Sequence, residues 1–125
     1  MYQVGTATRV RAFHVMPGME GPEGELHAHD YKLEVVVERD ELDDREMVCD
    51  LDLLEAALAE VSDTVRDADL EKIRPDSADA VTVEVFARWA HGAMASAVAK
   101  GGGERLTVRV WESPVAYGGY QAPVP

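Results

Sequence analysis

Cysteine is almost missing from this chain: Cys49 is the only one among 125 residues, which leaves no disulfide to form within it. No apolar run is long enough for a signal peptide core or a membrane span, so a cytoplasmic protein is expected. Basic residues are scarce as well, 12 against 24 acidic, for a formal charge of -12. A surface of that sign repels the phosphates of nucleic acid and of anionic membranes, and neither is expected as a partner. It also opposes a heavily phosphorylated small molecule unless the site concentrates positive charge locally. There is no internal repeat and no low-complexity tract. What these absences leave, at 46% hydrophobic content, is a single domain over residues 1–125 with a modest core.

What is present is a hydrophobic pattern that changes period along the chain. Residues 2–14, "YQVGTATRVRAFH", are rich in β-branched residues and place Val10, Ala12 and His14 on one face, a first strand. The stretch "VMPGMEGPEGE" carries two prolines and three glycines and reads as an irregular loop. A second strand over about 26–39 alternates so that His27, His29, Tyr31, Leu33, Val35 and Val37 share one face. Leu51, Leu54, Leu58, Val61 and Val65 then recur at steps of three and four behind Asp50, an N-cap, and predict a helix. The polar stretch 66–81 with Pro75 is a connection. Val83, Phe86, Ala90, Ala93 and Ala97 behind Thr82 predict a second helix, ended by Gly101 to Gly103. "RLTVRVWE" predicts a strand with Leu106, Val108, Val110 and Glu112 on one face, and a short strand is expected near Val115 to Tyr120. The order ββααββ describes an α+β domain whose two helices cover one face of an antiparallel sheet. Its open edges invite closure between subunits.

The apolar faces of three strands therefore end in His14, in His27 and His29, and in Glu112. An imidazole among valines is costly unless its nitrogens find partners, and a metal ion is a partner that takes several converging imidazoles. Zinc chemistry needs three such ligands with a fourth position open. Two plainer readings stand beside this one: His14 caps a loop and the His27/His29 pair hydrogen-bonds at the surface, and Glu112 is a solvated strand end.

The motifs "VRAFH", "LHAHDY", "MVCDLDLL", "TVEVFARW" and "VRVWESPVAY", in that order, resemble the family of 6-pyruvoyl tetrahydropterin synthase and 6-carboxytetrahydropterin synthase. That family shows an H…HGH zinc triad, an "MVxDF" segment, a "PTxEN" helix start and a final "VxVxET". His14, His27 and His29 match the triad, Val48 and Asp50 the second motif, Thr82 and Glu84 part of the third, and Glu112 the last. The resemblance implies a tunnelling fold whose sheets join into an oligomeric barrel, a homo-hexamer built as a dimer of trimers. It implies a Zn2+ cofactor and a zinc-dependent lyase acting on the side chain of a dihydroneopterin triphosphate type of substrate. It also implies pterin binding through Glu112, with Thr82 and Glu84 as further binding residues; a carboxylate suits the task because it accepts two parallel hydrogen bonds.

The departures matter equally. The family's catalytic cysteine falls four residues before the first histidine of HGH, where this chain has Glu23. Cys49 is not its substitute and is expected in the core. Of the family's Asp-His pair only Asp67 survives, in "VRDADL", and His91 is a lone histidine expected at a surface or edge. A variant of the family carries glutamate for the cysteine and releases a 6-hydroxymethyl pterin, which makes Glu23 a candidate general acid/base, with Asp67 beside it as a catalytic candidate. Two alternatives remain: a zinc- and pterin-binding protein without turnover, and a cupin-like barrel, since Gly21, His27, His29 and Glu34 imitate part of a cupin motif.

Overall fold

A computed structural model describes every residue from Met1 to Pro125. The elements run β1 (Tyr2–His14), β2 (His27–Arg39), α1 (Leu51–Val65), α2 (Val83–Lys100), β3 (Arg105–Ser113) and β4 (Ala116–Pro123). The strands form one antiparallel sheet in the order β1-β2-β3-β4. α1 lies against β1 and α2 against β3 and β4, so one sheet face is covered and the other is bare. This is the expected α+β arrangement, and its two long helices exclude a cupin barrel.

Period-two alternation sends Val10, Ala12, Tyr31, Leu33, Val35, Val37, Leu106, Val108 and Val110 inward, where they meet Leu54, Leu58, Val61 and Val65 of α1 and Phe86, Ala90, Met94 and Val98 of α2. Each buried aliphatic or aromatic side chain contributes roughly 1.5–3 kcal/mol by leaving water. Cys49 belongs to this core as expected. Both helices start at the residues their sequences announce. The Asp50 carboxylate accepts from the Asp52 N–H at 2.9 Å, and the Thr82 hydroxyl from the Val85 N–H at 3.1 Å.

Two features position the functional end of the sheet. The β1–β2 ladder runs without a shift from Tyr2↔Arg39 to His14↔His27, whereas β3 pairs with β2 only from Lys32↔Trp111 onward. The first residues of β2 are thus held on one side alone. In addition, the connection after α1 is tied to the outer edge of β1, with the Asp67 N–H donating to the Arg11 carbonyl at 2.7 Å and the Phe13 N–H to the Ala68 carbonyl at 2.9 Å.

Two expectations need correction. β4 runs to Pro123, beyond the expected end at Tyr120, because it pairs with β3 as far as Arg105↔Pro123; its Gly118-Gly119 pair and terminal proline hide the strand signal. His91 is buried, 6% exposed, rather than at the surface. Its Nε2 lies 3.2 Å from the Ala122 carbonyl and its ring 5.0 Å from that of Tyr120, so it ties α2 to β4.

The contact between α2 and β4 is close enough to test. A Cβ at Gly118 would fall 2.5 Å from Val83 Cγ2 and 3.1 Å from the Glu84 backbone nitrogen, so Gly118→Ala is expected to lower stability by about 1–3 kcal/mol. A Cβ at Gly92, inside α2, meets nothing within 4 Å, and Gly92→Ala should raise stability by about 0.4–1 kcal/mol. Urea unfolding of both variants checks the pair of signs.

Candidate metal centre

Residues directly opposite in an antiparallel ladder point to the same side, so the His14↔His27 pair brings two imidazoles together and His29, two residues on, adds a third. Their ring centroids lie 4.3 Å (His14–His27), 5.1 Å (His14–His29) and 4.9 Å (His27–His29) apart. A fourth group comes from the loop between the strands. Glu23 sits in a 3-10 turn, Gly21–Gly24, opened by Pro22 and pinned by the Met16 N–H donating to the Glu23 carbonyl at 2.9 Å. Any Cβ at residue 24 would collide with the Met19 carbonyl, so only glycine lets the turn close. Ligand-capable atoms of His14, Glu23, His27 and His29 all lie within 4.8 Å of one another.

Buried nitrogens decide what this cluster fits. Nδ1 and Nε2 of His14, Nε2 of His27 and Nε2 of His29 are buried and make no hydrogen bond, and each such orphan costs about 1–3 kcal/mol. His27 Nδ1 lies 2.7 Å from the Glu25 carbonyl, which only accepts, so that nitrogen carries the proton and Nε2 is left to bind. Burial, and then the neighbouring His27 and His29, lower the pKa of His14 below the ordinary histidine value, which favours the neutral form a metal requires. Three imidazoles and a carboxylate with ligand atoms this close suit a divalent ion of the zinc type.

The family model described as 6-pyruvoyl tetrahydropterin synthase matches residues 3–123. The chain belongs to that family. Among solved structures it resembles the Plasmodium falciparum 6-pyruvoyl tetrahydropterin synthase at a TM-score of 0.77 and 12% identity over 98% of each chain. It also resembles the Caenorhabditis elegans 6-pyruvoyl tetrahydropterin synthase at a TM-score of 0.74 and 21% identity, over 97% of this chain and 95% of that one. Two further similar structures are Plasmodium vivax 6-pyruvoyltetrahydropterin synthase variants in which a glutamate, described as a catalytic residue, is replaced by cysteine or by alanine. Comparison with curated protein sequences found no match. At these identities the structural likeness speaks for the fold.

Within this 6-pyruvoyl tetrahydropterin synthase fold the other candidate residues are placed unequally. Glu112 stands level with Tyr31, one residue beyond the last β2–β3 pair. It is exposed at the end of the sheet, next to the break in β3–β4 register between Trp111 and Ser113. It borders a cleft of about 470 Å³ with Arg9, Asp30, Lys32 and Trp111. Thr82 spends its hydroxyl on the α2 cap, and Glu84 is exposed in the first turn beside Gly118. Neither joins the histidine cluster.

Asp67 also lies apart from it. Its carboxylate meets Arg11 Nη1 at 3.4 Å with both side chains more than half exposed, and its backbone is left-handed, φ 54°.

Tyr31 is the residue that sequence reading passed over, counting it only as part of the apolar face. Its ring is 1% exposed and packs edge-on to His29 at 5.5 Å, His14 at 6.2 Å and Phe86 at 5.3 Å. Burial, then Glu112 and Glu23, push its pKa up, so the phenol stays protonated. The available signal was its place two residues after His29 in a period-two strand.

The setting of Asp67 predicts tolerance to loss of its charge. Asn suits the left-handed backbone and an exposed ion pair contributes little, so Asp67→Asn should change stability by less than about 0.5 kcal/mol. Asp67→Val puts a β-branched residue at positive φ and should cost about 1–3 kcal/mol. Thermal melts of both variants check the contrast.

Proposed function

We propose that the chain is a metal-dependent lyase of pterin metabolism, with residues 1–125 acting as one pterin-synthase-like domain on the side chain of a dihydroneopterin-type substrate. The observation that carries the reading is the group of His14, His27 and His29 with four buried, unpartnered nitrogens and the Glu23 carboxylate beside them. A Zn2+ ion held by the three histidines supplies Lewis acidity toward a side-chain oxygen. Glu23, in the place where the family carries a thiol, is the group that moves a proton on the substrate side chain. The catalytic glutamate described for the Plasmodium vivax protein supports that role. Glu112 accepts from the 2-amino and ring N–H groups of the pterin. Thr82 and Glu84, outside the ligand group in one chain, serve binding from the start of α2. The outer edge of β4, and that of β1 away from the Arg11–Phe13 stretch, pair with no strand of the single chain, and a homo-hexamer of joined sheets closes them.

A second reading, binding without turnover, is favoured by Asp67, which is held against Arg11 and away from the histidines. One experiment separates the two: incubation of the Zn2+-loaded protein with dihydroneopterin triphosphate and mass analysis of the products. Wild type should release a cleaved pterin, and Glu23→Gln should be slower by about 100-fold or more. Binding of the substrate with no product at all would favour the second reading. Glu112→Gln should weaken pterin binding by at least tenfold, the low end of the roughly 2–5 kcal/mol for truncating a charged pair, while metal content stays at one per chain. Equal affinity in the variant would return Glu112 to a solvated strand end. His27→Ala should lose most of the bound metal, as read by elemental analysis of purified protein.

A further inference from the structure

His27 is the point where the electrostatics of the cluster do not close. With Nδ1–H committed to the Glu25 carbonyl at 2.7 Å, the neutral ring presents a lone pair at Nε2. Oε2 of Glu23 stands 3.3 Å from that nitrogen and is likewise an acceptor. Nε2 makes no hydrogen bond, so even a proton placed on it is not directed at the carboxylate. Two lone pairs facing each other at this distance repel unless a cation lies between them. The spacing is that of shared coordination. Ligands bonded at about 2.0–2.1 Å to a tetrahedral ion lie roughly 3.3–3.4 Å apart along each edge. Ligand atoms of His14 and His29 fall within 4.8 Å of a Glu23 carboxylate oxygen. The carboxylate is also presented by its backbone, since the turn bearing it is anchored to Met16 and closed at Gly24.

We propose that the Glu23 carboxylate is the fourth metal ligand in the substrate-free protein, completing a three-histidine, one-carboxylate set in place of an open fourth position. This rests on the metal-dependent reading above. One oxygen cannot hold the ion and take up a proton at once, so the two roles of Glu23 are successive. The side chain is 52% exposed on a short turn, so it could leave the ion without disturbing the core. A protein built this way keeps its ion tightly and shields it from small anions until substrate arrives.

Co2+ titration followed by visible absorption tests the assignment in wild type, Glu23→Gln and Glu23→Ala, with azide as a probe of an open position. Glu23 lies outside the core, and far-UV circular dichroism confirms that the variants fold. Wild type should bind Co2+ at least tenfold more tightly than either variant, its spectrum should differ from theirs, and azide should bind Glu23→Ala at least tenfold more tightly than wild type. Equal Co2+ affinities with superimposable spectra would overturn the fourth-ligand assignment while leaving the three-histidine site intact. Failure of wild type to take up Co2+ at all would remove the metal-dependent reading and this inference together.

Discussion

Everything at the functional end of this protein depends on the register of one strand pair. β1 and β2 are paired without interruption from Tyr2↔Arg39 to His14↔His27, and the side-chain period of a strand is two. Sliding either strand by one residue would turn its histidines to the bare face of the sheet and its charged residues into the core. The same alternation that buries Val10, Leu33, Val35 and Val37 beneath the helices therefore assembles three imidazoles at the end of the ladder. Core formation and site formation share this constraint, since any register that buries the valines also keeps the histidines on the inner face.

The surroundings keep that end of the sheet from fraying. β3 stops short of it, but the segment after α1 bonds to Arg11 and Phe13 along the outer edge of β1. Inside, Tyr31 carries the packing from His14 and His29 to Phe86 of α2, and Phe86 lies 6.1 Å from Trp89. This rigid frame sustains an arrangement that would otherwise relax, namely unpartnered imidazole nitrogens facing a carboxylate. The net charge of -12 acts in the same direction, because a strongly negative protein attracts cations and lowers the cost of holding one.

Legibility followed the range of the forces involved. Both helices and their caps, Asp50 and Thr82, were readable because a cap bonds its own next turn and a helical stripe repeats within a few residues. The histidines were readable because period two is local. The end of β4, the burial of His91, the exposure of Glu112 and the engagement of Asp67 with Arg11 were not. Each depends on a partner between 14 and 56 residues away or lies at a break in strand register.

The sequence by itself determined which elements form, where the helices begin, and that three histidines end apolar strand faces; its motifs also carried the likeness to the pterin synthase family. Tertiary structure alone decided how those pieces meet. It set His14 directly opposite His27, folded the Gly21–Gly24 turn so that Glu23 reaches 3.3 Å from His27, and withdrew Asp67 to Arg11. The physical reason is that propensity, capping and periodicity act over a few residues, whereas strand register and loop closure are fixed only when the shared core is packed from both sides at once.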